Sequence, residues 1–328
     1  MDLPYYTKDE GSGGQIKEKP EDFIVEEIPL YKPSGKGQHL YINLTKKGVT
    51  SKKIKDRLAD IFGTGKRNVG MAGLKDKEAV ATQTFSVDIG NSEKDEEAVE
   101  EIKGIENVEV NWSKRHRNKL KKGHSLGNRF KIVISETDKI EKAREVAQEI
   151  KRRGIPNFYG QQRFSENDSN IRDAEDILKG KNMNNRWLRN FLLSSYQSYL
   201  FNKYLIFRIN KGKFEGLMEG DIAKKYDTGG LFVVEDKEKE QKRFDEKEIS
   251  FTGPIYGKEM WWPESKAGQF EEELLERFMG KNKLGKLGRG SRRLGKLLVD
   301  DLSIEKHNKG LLVKFSLLKV IYATIVLI

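Results

Sequence analysis

The sequence predicts an α+β fold in which a mixed, largely antiparallel sheet is flanked by helices and interrupted by an inserted α+β domain. From residue 23 to about residue 135, apolar side chains recur at every second position, as they do in half-buried strands. Beyond residue 154 this alternation gives way to helical and turn-rich segments, and it returns near residue 311. The chain is therefore expected to divide into one domain of residues 1–154 with 290–328 and an inserted domain of residues 155–289.

Five strands and two helices are predicted in the first domain. One helix begins after the cap candidate Thr50 and ends at Gly63, and the other ends at the glycine cap Gly154. The apolar face of the first helix is Ile54, Leu58 and Ile61, and that of the second is Ile140, Ala143, Val146, Ala147 and Ile150. The alternating groups that define the strands are Phe23/Val25, Leu40/Ile42/Leu44, Phe85/Val87/Ile89, Val108/Val110/Trp112 and Phe130/Ile132/Ile134.

The inserted domain is expected to open where Gly, Pro and Asn cluster around residues 154–157. Helices are predicted around residues 171–179 and 186–208, and turn-rich short strands follow them. The basic, glycine-rich run of residues 281–296 has the composition of an exposed connection.

GSRRLGKL at residues 290–297, which overlaps the end of this run, matches the glycine and lysine spacing of a phosphate-binding loop. However, Leu297 occupies the position of the Ser or Thr whose hydroxyl must reach magnesium, and no predicted strand precedes Gly290. An ATP-dependent RNA enzyme is therefore disfavoured. A solvated linker, or one that touches RNA phosphates, explains the run without an ATP site.

The composition favours some partners and excludes some chemistry. The 328 residues carry a formal net charge of +11, which favours a polyanionic partner. The 34% of charged residues also fits the Lys- and Glu-rich surface of a hyperthermophile protein. The absence of cysteine excludes disulfides, cysteine-ligated zinc and thiol nucleophiles, and the unpaired spacing of the four histidines argues against a histidine metal centre.

No segment has the character of a secretion signal or a membrane span. The first ten residues lack a basic start followed by an apolar stretch, and no apolar run approaches about 18 residues. The apolar run of residues 320–328 is predicted to be a strand or a buried segment. A cytoplasmic location is expected by elimination.

Asp76 is the candidate catalytic residue, although its adjacent residues alone do not distinguish a functional loop from an ordinary turn. It lies between Lys75 and Lys77 shortly after Gly73, and such residues are ordinary in solvated turns. The flanking segments NVGMAG and TFSVDI are strand-like, so Asp76 is expected on a connection held between two sheet elements, where catalytic groups are commonly displayed. If the connection is extended, Lys75 and Lys77 point away from Asp76, toward phosphates or solvent.

Four separated motifs, in order along the chain, resemble those of the TruD family of tRNA pseudouridine synthases in its archaeal form. KEKPEDF from Lys17 is similar to the family's K-x-x-P-E-D-F segment, and GNRF from Gly127 is similar to its G-N-x-F segment. GIPNFYGQQRFS is similar to the segment that opens the family's inserted domain. The G-x-K-D-K-x-A-x-T-x-Q signature is matched by Gly73, Lys75, Asp76, Lys77, Ala79 and Gln83, with Ala81 in place of Thr.

The resemblance implies a pseudouridine-synthase catalytic domain and the isomerisation of a uridine in RNA to pseudouridine. The N1–C1′ bond breaks, the uracil turns without leaving, and C5 bonds to C1′. Asp76 is then the essential carboxylate, acting either by direct attack or by removal of a proton from the sugar. The resemblance further implies a tRNA substrate, uridine 13 as the target and no metal or organic cofactor. A monomer is expected, although the sequence gives no direct sign of the oligomeric state.

The same resemblance assigns supporting roles to four residues. Lys17 is expected to pair with Asp76 and lower its pKa, and a surface lysine before a proline turn is the alternative. Phe130 is expected to stack on a flipped-out uracil, although its strand pattern alone favours core packing. Asn128 is expected to bond the base edge or to position the loop, with a plain turn residue as the alternative. Gln83, the last matched residue of the signature, is also expected to support the active site.

RNA contacts are expected along the basic segment of residues 113–125, because its lysines and arginines would neutralise backbone phosphates. Such contacts would set affinity and register rather than sequence choice. A solvated charged face is the alternative. The residues predicted to contact RNA are Lys77, Arg115, His116, Lys119 and Arg163.

One departure from the family pattern concerns the turn after the last strand. The family has a Gly-Ser-Tyr-Ala-Thr-like turn, and here Tyr322, Ala323 and Thr324 are kept without the Gly-Ser. This change favours an alternative, a catalytically impaired RNA-binding homologue that acts as an RNA chaperone or assembly factor. The presence of Asp76 and Lys17 favours the enzyme.

Overall fold

The computed structural model describes residues 3–7, 11–90, 95–319, 321 and 323–327. The chain forms two compact units, which we call the sheet unit and the helical unit. The sheet unit comprises Glu10–Lys151 and Val299–Ile321. The helical unit comprises Arg152–Leu298 together with the described parts of residues 1–9 and 322–328.

The described part of the chain forms fifteen strands, seven α-helices and several short 3-10 helices. The strands are β1 (Gln15–Ile16), β2 (Phe23–Pro29), β3 (His39–Lys47), β4 (Val69–Met71), β5 (Val80–Asp88), β6 (Val108–His116), β7 (Ser125–Ser135), β8 (Ile155–Pro156), β9 (Ile222–Lys225), β10 (Leu231–Val233), β11 (Ile249–Ile255), β12 (Ser291–Leu294), β13 (Lys296–Leu297), β14 (Ser303–His307) and β15 (Gly310–Leu318). The α-helices are α1 (Ser51–Ile61), α2 (Asp95–Lys103), α3 (Ile140–Arg153), α4 (Ser169–Lys179), α5 (Arg186–Asn210), α6 (Lys237–Asp245) and α7 (Ser265–Phe278). The 3-10 helices are Pro20–Asp22, Lys66–Asn68, Gln161–Arg163, Glu166–Asp168, Lys281–Lys286 and Ala323–Val326.

One mixed sheet organises the sheet unit. Its strands run in the order β14-β15-β7-β2-β5-β3-β6, with β1 added against β7 and β4 against β5. The β2–β5 pairing is parallel, and the other pairings described in this sheet are antiparallel. The predicted α+β class, with a mixed and largely antiparallel sheet, is therefore confirmed.

Helix α1 forms where the sequence predicts it, for the predicted reasons. The hydroxyl of Thr50 accepts a hydrogen bond from the amide of Lys53 at 3.1 Å and so caps the first turn. Ile54 and Leu58 are buried in one apolar cluster with side chains of β3 and β5. Burying an apolar side chain of this size stabilises a fold by about 1.5–3 kcal/mol. The helix therefore covers one face of the sheet next to the β4–β5 connection.

Strand β7 pairs with both β2 and β15, and Gly127 lies where its backbone closely approaches β15. It is opposite Ile28 on one side and Leu318 on the other. A Cβ atom at Gly127 would lie 2.1 Å from the carbonyl oxygen of Leu317. Because that neighbour is backbone, no side-chain rotation can relieve the contact. Glycine is therefore required for the close approach of β7 and β15.

The helical unit is built around α5, which packs against α4, α7 and β11. Its strands form one sheet in the order β10-β9-β11-β12 and a separate β13–β8 pair. Near the end of α5, the guanidinium of Arg208 pairs with Asp221 at 2.6 Å, and both side chains are almost completely buried. The helices predicted around residues 171–179 and 186–208 are confirmed as α4 and α5.

The prediction that residues 281–296 form an exposed connection is wrong. Part of the run is a 3-10 helix, and Ser291–Leu294 forms β12, which pairs with β11. The buried guanidinium of Arg292 pairs with the buried carboxylate of Glu271 at 2.6 Å. A buried cation needs such a partner, and this one is distant in sequence. The segment also lacks the loop and helix of a phosphate-binding loop.

The structure tests two predictions about apolar segments, one on the C-terminal run and one on membrane-spanning helices. The apolar residues near the C-terminus form the 3-10 helix Ala323–Val326, in which Ala323, Ile325 and Val326 are buried. Of the two predicted forms, the segment is therefore buried rather than a strand, and Tyr322 lies outside the described residues. Within the described ranges, no helix is long and apolar enough to cross a membrane.

We expect Gly127→Ala to lower the free energy of unfolding by about 1–3 kcal/mol, because an added methyl group forces β7 and β15 apart. Thermal denaturation followed by circular dichroism measures the loss. Gly65→Ala is the matched control, since Gly65 has φ −69° and its Cβ position has no neighbour within 4 Å. Equal melting temperatures for the two variants would show that the approach at Gly127 does not constrain the sheet.

Candidate active site

Asp76 lies on the connection between β4 and β5, where its carboxylate meets solvent and its backbone is anchored. Oδ2 accepts a hydrogen bond from the ammonium of Lys17 at 2.6 Å, and Oδ1 accepts one from the amide of Glu78 at 3.1 Å. The carbonyl oxygen of Asp76 accepts from Nζ of Lys46 at 2.7 Å. The Asp76 side chain remains 40% exposed. A solute can therefore reach a carboxylate whose two oxygens are both held.

Opposing effects set the pKa of Asp76. Partial burial is the largest effect and raises the pKa, whereas the hydrogen bonds from Lys17 and Glu78 and the charges of Lys17 and Lys46 lower it. Together the lowering effects prevail, so the pKa lies below the usual value of 3.8. Asp76 is therefore ionised at neutral pH, as a nucleophile or a general base must be.

Lys17 contacts both Asp76 and an aromatic cluster formed by Phe23, Phe130 and Phe315. Its backbone φ is 62°, in the left-handed region that non-glycine residues rarely adopt. While its ammonium pairs with Asp76, it also lies 4.5 Å from the ring centroid of Phe23. The Lys17–Asp76 pair expected from the resemblance is thus formed. A strained backbone held by its surroundings is a recurrent feature of functional sites.

Phe130 lies in β7 on the same aromatic cluster, and it is 6% exposed. Its ring stacks on Phe315 with centroids 5.2 Å apart and planes at 26°, and Phe23 meets it edge-on at 6.1 Å. These contacts are those of a packed core residue. The ring of Phe23 therefore contacts both Phe130 and the ammonium of Lys17. Stacking of Phe130 on a base stays a prediction.

Lys75 does not point to phosphates or solvent as the extended-loop argument predicts. Its ammonium donates to Oδ1 of Asn128 at 2.5 Å and lies 3.3 Å from Oε2 of Glu27. The Lys75 and Glu27 side chains are 8% and 3% exposed. Burial raises the pKa of Glu27, and the charge of Lys75 opposes that rise. Pairing with a buried carboxylate therefore turns Lys75 inward, away from solvent.

Gln83 is fully buried and supports the backbone of the Asp76 loop. Its Oε1 accepts from the hydroxyl of Ser51 at 2.5 Å, and its Nε2 donates to the carbonyl of Gly73 at 3.4 Å. The Ser51 hydroxyl in turn accepts from the amide of Lys75 at 3.0 Å. Gln83 therefore acts on the site through the loop that carries Asp76.

Two residues predicted to contact RNA are held by protein groups. The guanidinium of Arg115 forms two 2.6 Å hydrogen bonds with the carboxylate of Asp95. The ring of His116 stacks on Tyr31 with centroids 5.1 Å apart. The pKa of His116 is lowered mainly by burial, so the ring is neutral at neutral pH. Both residues therefore stabilise β6 and its surroundings, and their contact with RNA stays a prediction.

The other three RNA-contact candidates differ in whether their side chains are bonded to protein groups. The ammonium of Lys119 donates to the backbone carbonyl of Arg67. In the helical unit, Arg163 donates to the hydroxyl of Ser194 at 2.5 Å. Lys77 is exposed, and its side chain has no bonding partner in the described part of the chain. Of these candidates, Lys77 is the one most available to a ligand beside Asp76.

Sequence reasoning missed three residues that hold the site: Glu27, Lys46 and Ser51. The signal for two of them was the strand alternation itself. Glu27 continues the inward series of Phe23 and Val25 in β2, and Lys46 continues that of Leu40, Ile42 and Leu44 in β3. A charged residue at an inward position needs a partner or a function. Ser51 gave no such signal.

In the described ranges, no group of three or more His, Cys, Asp or Glu side chains is arranged to hold a metal ion. The charges nearest to Asp76 are instead the ammonium groups of Lys17 and Lys46. The site therefore offers an ionised, accessible carboxylate, buried donors behind it and an aromatic cluster beside it.

The family model for tRNA pseudouridine synthase D (TruD) matches residues 2–184 and 168–328 of the chain. The chain is 38% identical to tRNA pseudouridine synthase D of Thermus thermophilus, over 98% of this chain and 90% of that protein. It is 37% identical to tRNA pseudouridine synthase D of Anaeromyxobacter dehalogenans, over 99% of this chain and 95% of that protein. These similarities cover both units.

The fold is similar to a crystal structure described as tRNA pseudouridine synthase D (TruD) from Methanosarcina mazei. The TM-score is 0.79 at 21% identity, and the match covers 100% of this chain and 98% of that chain. At this identity the structural similarity shows the fold alone. The family model and the relatives, matched over nearly the full length, show that the chain belongs to the TruD family of tRNA pseudouridine synthases.

Proposed function

We propose that this pseudouridine synthase acts on tRNA and that Asp76 is its essential carboxylate. The observation that supports this most directly is the ionised, half-exposed carboxylate held by Lys17 and the amide of Glu78. The names of its relatives from Thermus thermophilus and Anaeromyxobacter dehalogenans support tRNA as the substrate. In this proposal residues 1–154 and 290–328 form the catalytic domain, and residues 155–289 form the inserted TRUD domain.

The reaction moves one glycosidic bond. The N1–C1′ bond breaks, the uracil rotates, C5 bonds to C1′, and the proton on C5 is lost while N1 gains one. Asp76 either attacks C1′ or removes a proton from the sugar, and both routes need an ionised carboxylate beside the ribose. Lys17 keeps the carboxylate ionised when RNA excludes water, and Lys46 fixes the backbone from which it projects.

The target we propose is uridine 13 in the D arm of tRNA, modified by a cytoplasmic, monomeric enzyme that needs no cofactor. Support for this position comes from the family resemblance of the motifs around Lys17, Asp76 and Asn128. Basic surface residues such as Lys77 would bind the RNA backbone and set register, since phosphate contacts carry no base information. The position must therefore be read directly from the modified RNA.

We expect Asp76→Asn to reduce pseudouridine formation by about a thousandfold or more, because the amide can neither attack nor accept a proton. Chemical mapping at single-nucleotide resolution on unmodified tRNA transcripts measures turnover and position together. A transcript with cytidine at position 13 is the substrate control. RNA binding should persist, since the substitution keeps the side-chain size.

Turnover by Asp76→Asn at the wild-type rate would refute the catalytic assignment. Wild-type modification at another uridine would correct the target. Tight tRNA binding by the wild type without any turnover would support the RNA chaperone alternative instead.

We expect Lys17→Met to shift the acid limb of the pH–rate profile upward by about one unit. A nearby cation lowers a carboxyl pKa by about 1–3 units, and we take the lower end because Asp76 is 40% exposed. The pKa of Asp76 rises in the variant, so activity is lost at a higher pH as the pH falls. Lys306→Met, at an exposed position in β14, should keep the wild-type profile. Identical acid limbs in Lys17→Met and the wild type would contradict the ion-pair role.

We expect Phe130→Leu to reduce turnover about tenfold or more while the melting temperature changes little, because leucine fills the core but offers no flat ring to a base. Ile132→Val is the control, since Ile132 is buried on the same face of β7. Turnover and thermal melts are measured for both variants. If activity loss merely follows the loss of stability in each variant, Phe130 is a packing residue only.

A further inference from the structure

The ammonium of Lys75 fixes which way the amide of Asn128 faces. It donates to Oδ1 of Asn128 at 2.5 Å. A lysine ammonium is only a donor, so the amide group that meets it must be the oxygen. The amide nitrogen of Asn128 then faces away from Lys75, and within the described part of the chain it has no hydrogen-bond partner. Two N–H donors are thus left open on a half-buried side chain.

Lys75 itself has little freedom to move. Its ammonium lies 3.3 Å from Glu27, and both side chains are almost fully buried. Glu27 is directly opposite Asn128 in the β2–β7 pairing, so the two side chains share a face of the sheet. The amide of Lys75 is also bonded to the hydroxyl of Ser51 at 3.0 Å. The lysine is held at its backbone and at its ammonium, one residue before Asp76.

The Glu27 carboxylate has an unusual environment for a purely structural ion pair. One of its oxygens accepts from the amide of Thr84 at 3.3 Å, and the other, Oε2, makes no hydrogen bond among the described residues. Lys75 therefore donates to the neutral amide while its ammonium also pairs with the carboxylate at 3.3 Å. The ammonium of Lys75 thereby orients the amide of Asn128.

We infer that Lys75 is a positioning residue that presents the Asn128 amide as a donor to a carbonyl oxygen of the target pyrimidine. The inference rests on the proposed function. Uracil carries carbonyl acceptors at O2 and O4, whereas cytosine carries an amino donor in place of O4. An amide locked with its N–H groups outward can bond either uracil carbonyl, and at O4 it would also oppose the cytosine amino group. Without Lys75 the amide can flip, and this donor is lost.

The test uses tRNA transcripts that carry uridine, 4-thiouridine or 2-thiouridine at the modified position, since sulfur is a weaker acceptor than oxygen. For the wild type, we expect one of the two thio substitutions to lower kcat/KM about tenfold, as loss of one hydrogen bond does. Lys75→Met should lower kcat/KM for the uridine substrate about tenfold, and its penalty for the same thio substitution should vanish. Lys131→Met, at an exposed position of β7, should keep the wild-type penalty.

A full thio penalty in Lys75→Met would overturn the inference, and so would the absence of any thio penalty in the wild type. If Lys75→Met does not fold, Asn128→Asp decides, because its carboxylate accepts from Lys75 and offers no donor. That variant should lose the thio penalty and most turnover, and retained discrimination would refute the role of the amide. A wild type that does not convert the uridine transcript would refute the proposed function instead.

Discussion

The loop that carries Asp76 depends on two lysine side chains buried beneath it. Burying an ammonium costs several kcal/mol unless it is paired and hydrogen-bonded. Burial lowers the pKa of Lys46, the charge of Asp76 opposes this, and its ammonium bonds the Asp76 carbonyl. Lys75 is held by Glu27 and Asn128. Among the described residues these are the groups that satisfy the two cations, so they favour the loop conformation that presents the carboxylate.

Glu27 and Asp76 differ because of their surroundings. Glu27 is almost fully buried, and burial raises its pKa. Asp76 is partly exposed, and its cations and the Glu78 amide bring its pKa below the usual value. Of the two, Asp76 combines an ionised form with access from solvent. Glu27 is linked to the loop through the ammonium of Lys75.

Most of the sheet unit could be predicted because its strands and α1 follow local patterns. Helix α2 was missed since only Ala98 and Ile102 of its nine residues are buried, which leaves no clear apolar stripe. Lys46 and Arg292 were missed for a different reason. Each is a buried cation whose partner is distant in sequence, Asp76 or Glu271, and composition alone makes such residues look solvated. Asp76 and Lys17 were found through motifs, and their pairing was expected from the family resemblance.

Lys75 and Asp76 illustrate how two adjacent residues of one short motif acquire different roles. Lys75 turns inward because its ammonium pairs with the buried carboxylate of Glu27 and donates to the amide oxygen of Asn128. Asp76 turns outward to Lys17, which lies between it and the ring of Phe23, and Phe23 meets Phe130 edge-on. A base that stacks on the 6% exposed Phe130 must therefore displace neighbouring side chains. Since the ammonium on Phe23 also holds Asp76, rearrangement of this cluster on base binding would act directly on the charge of the carboxylate.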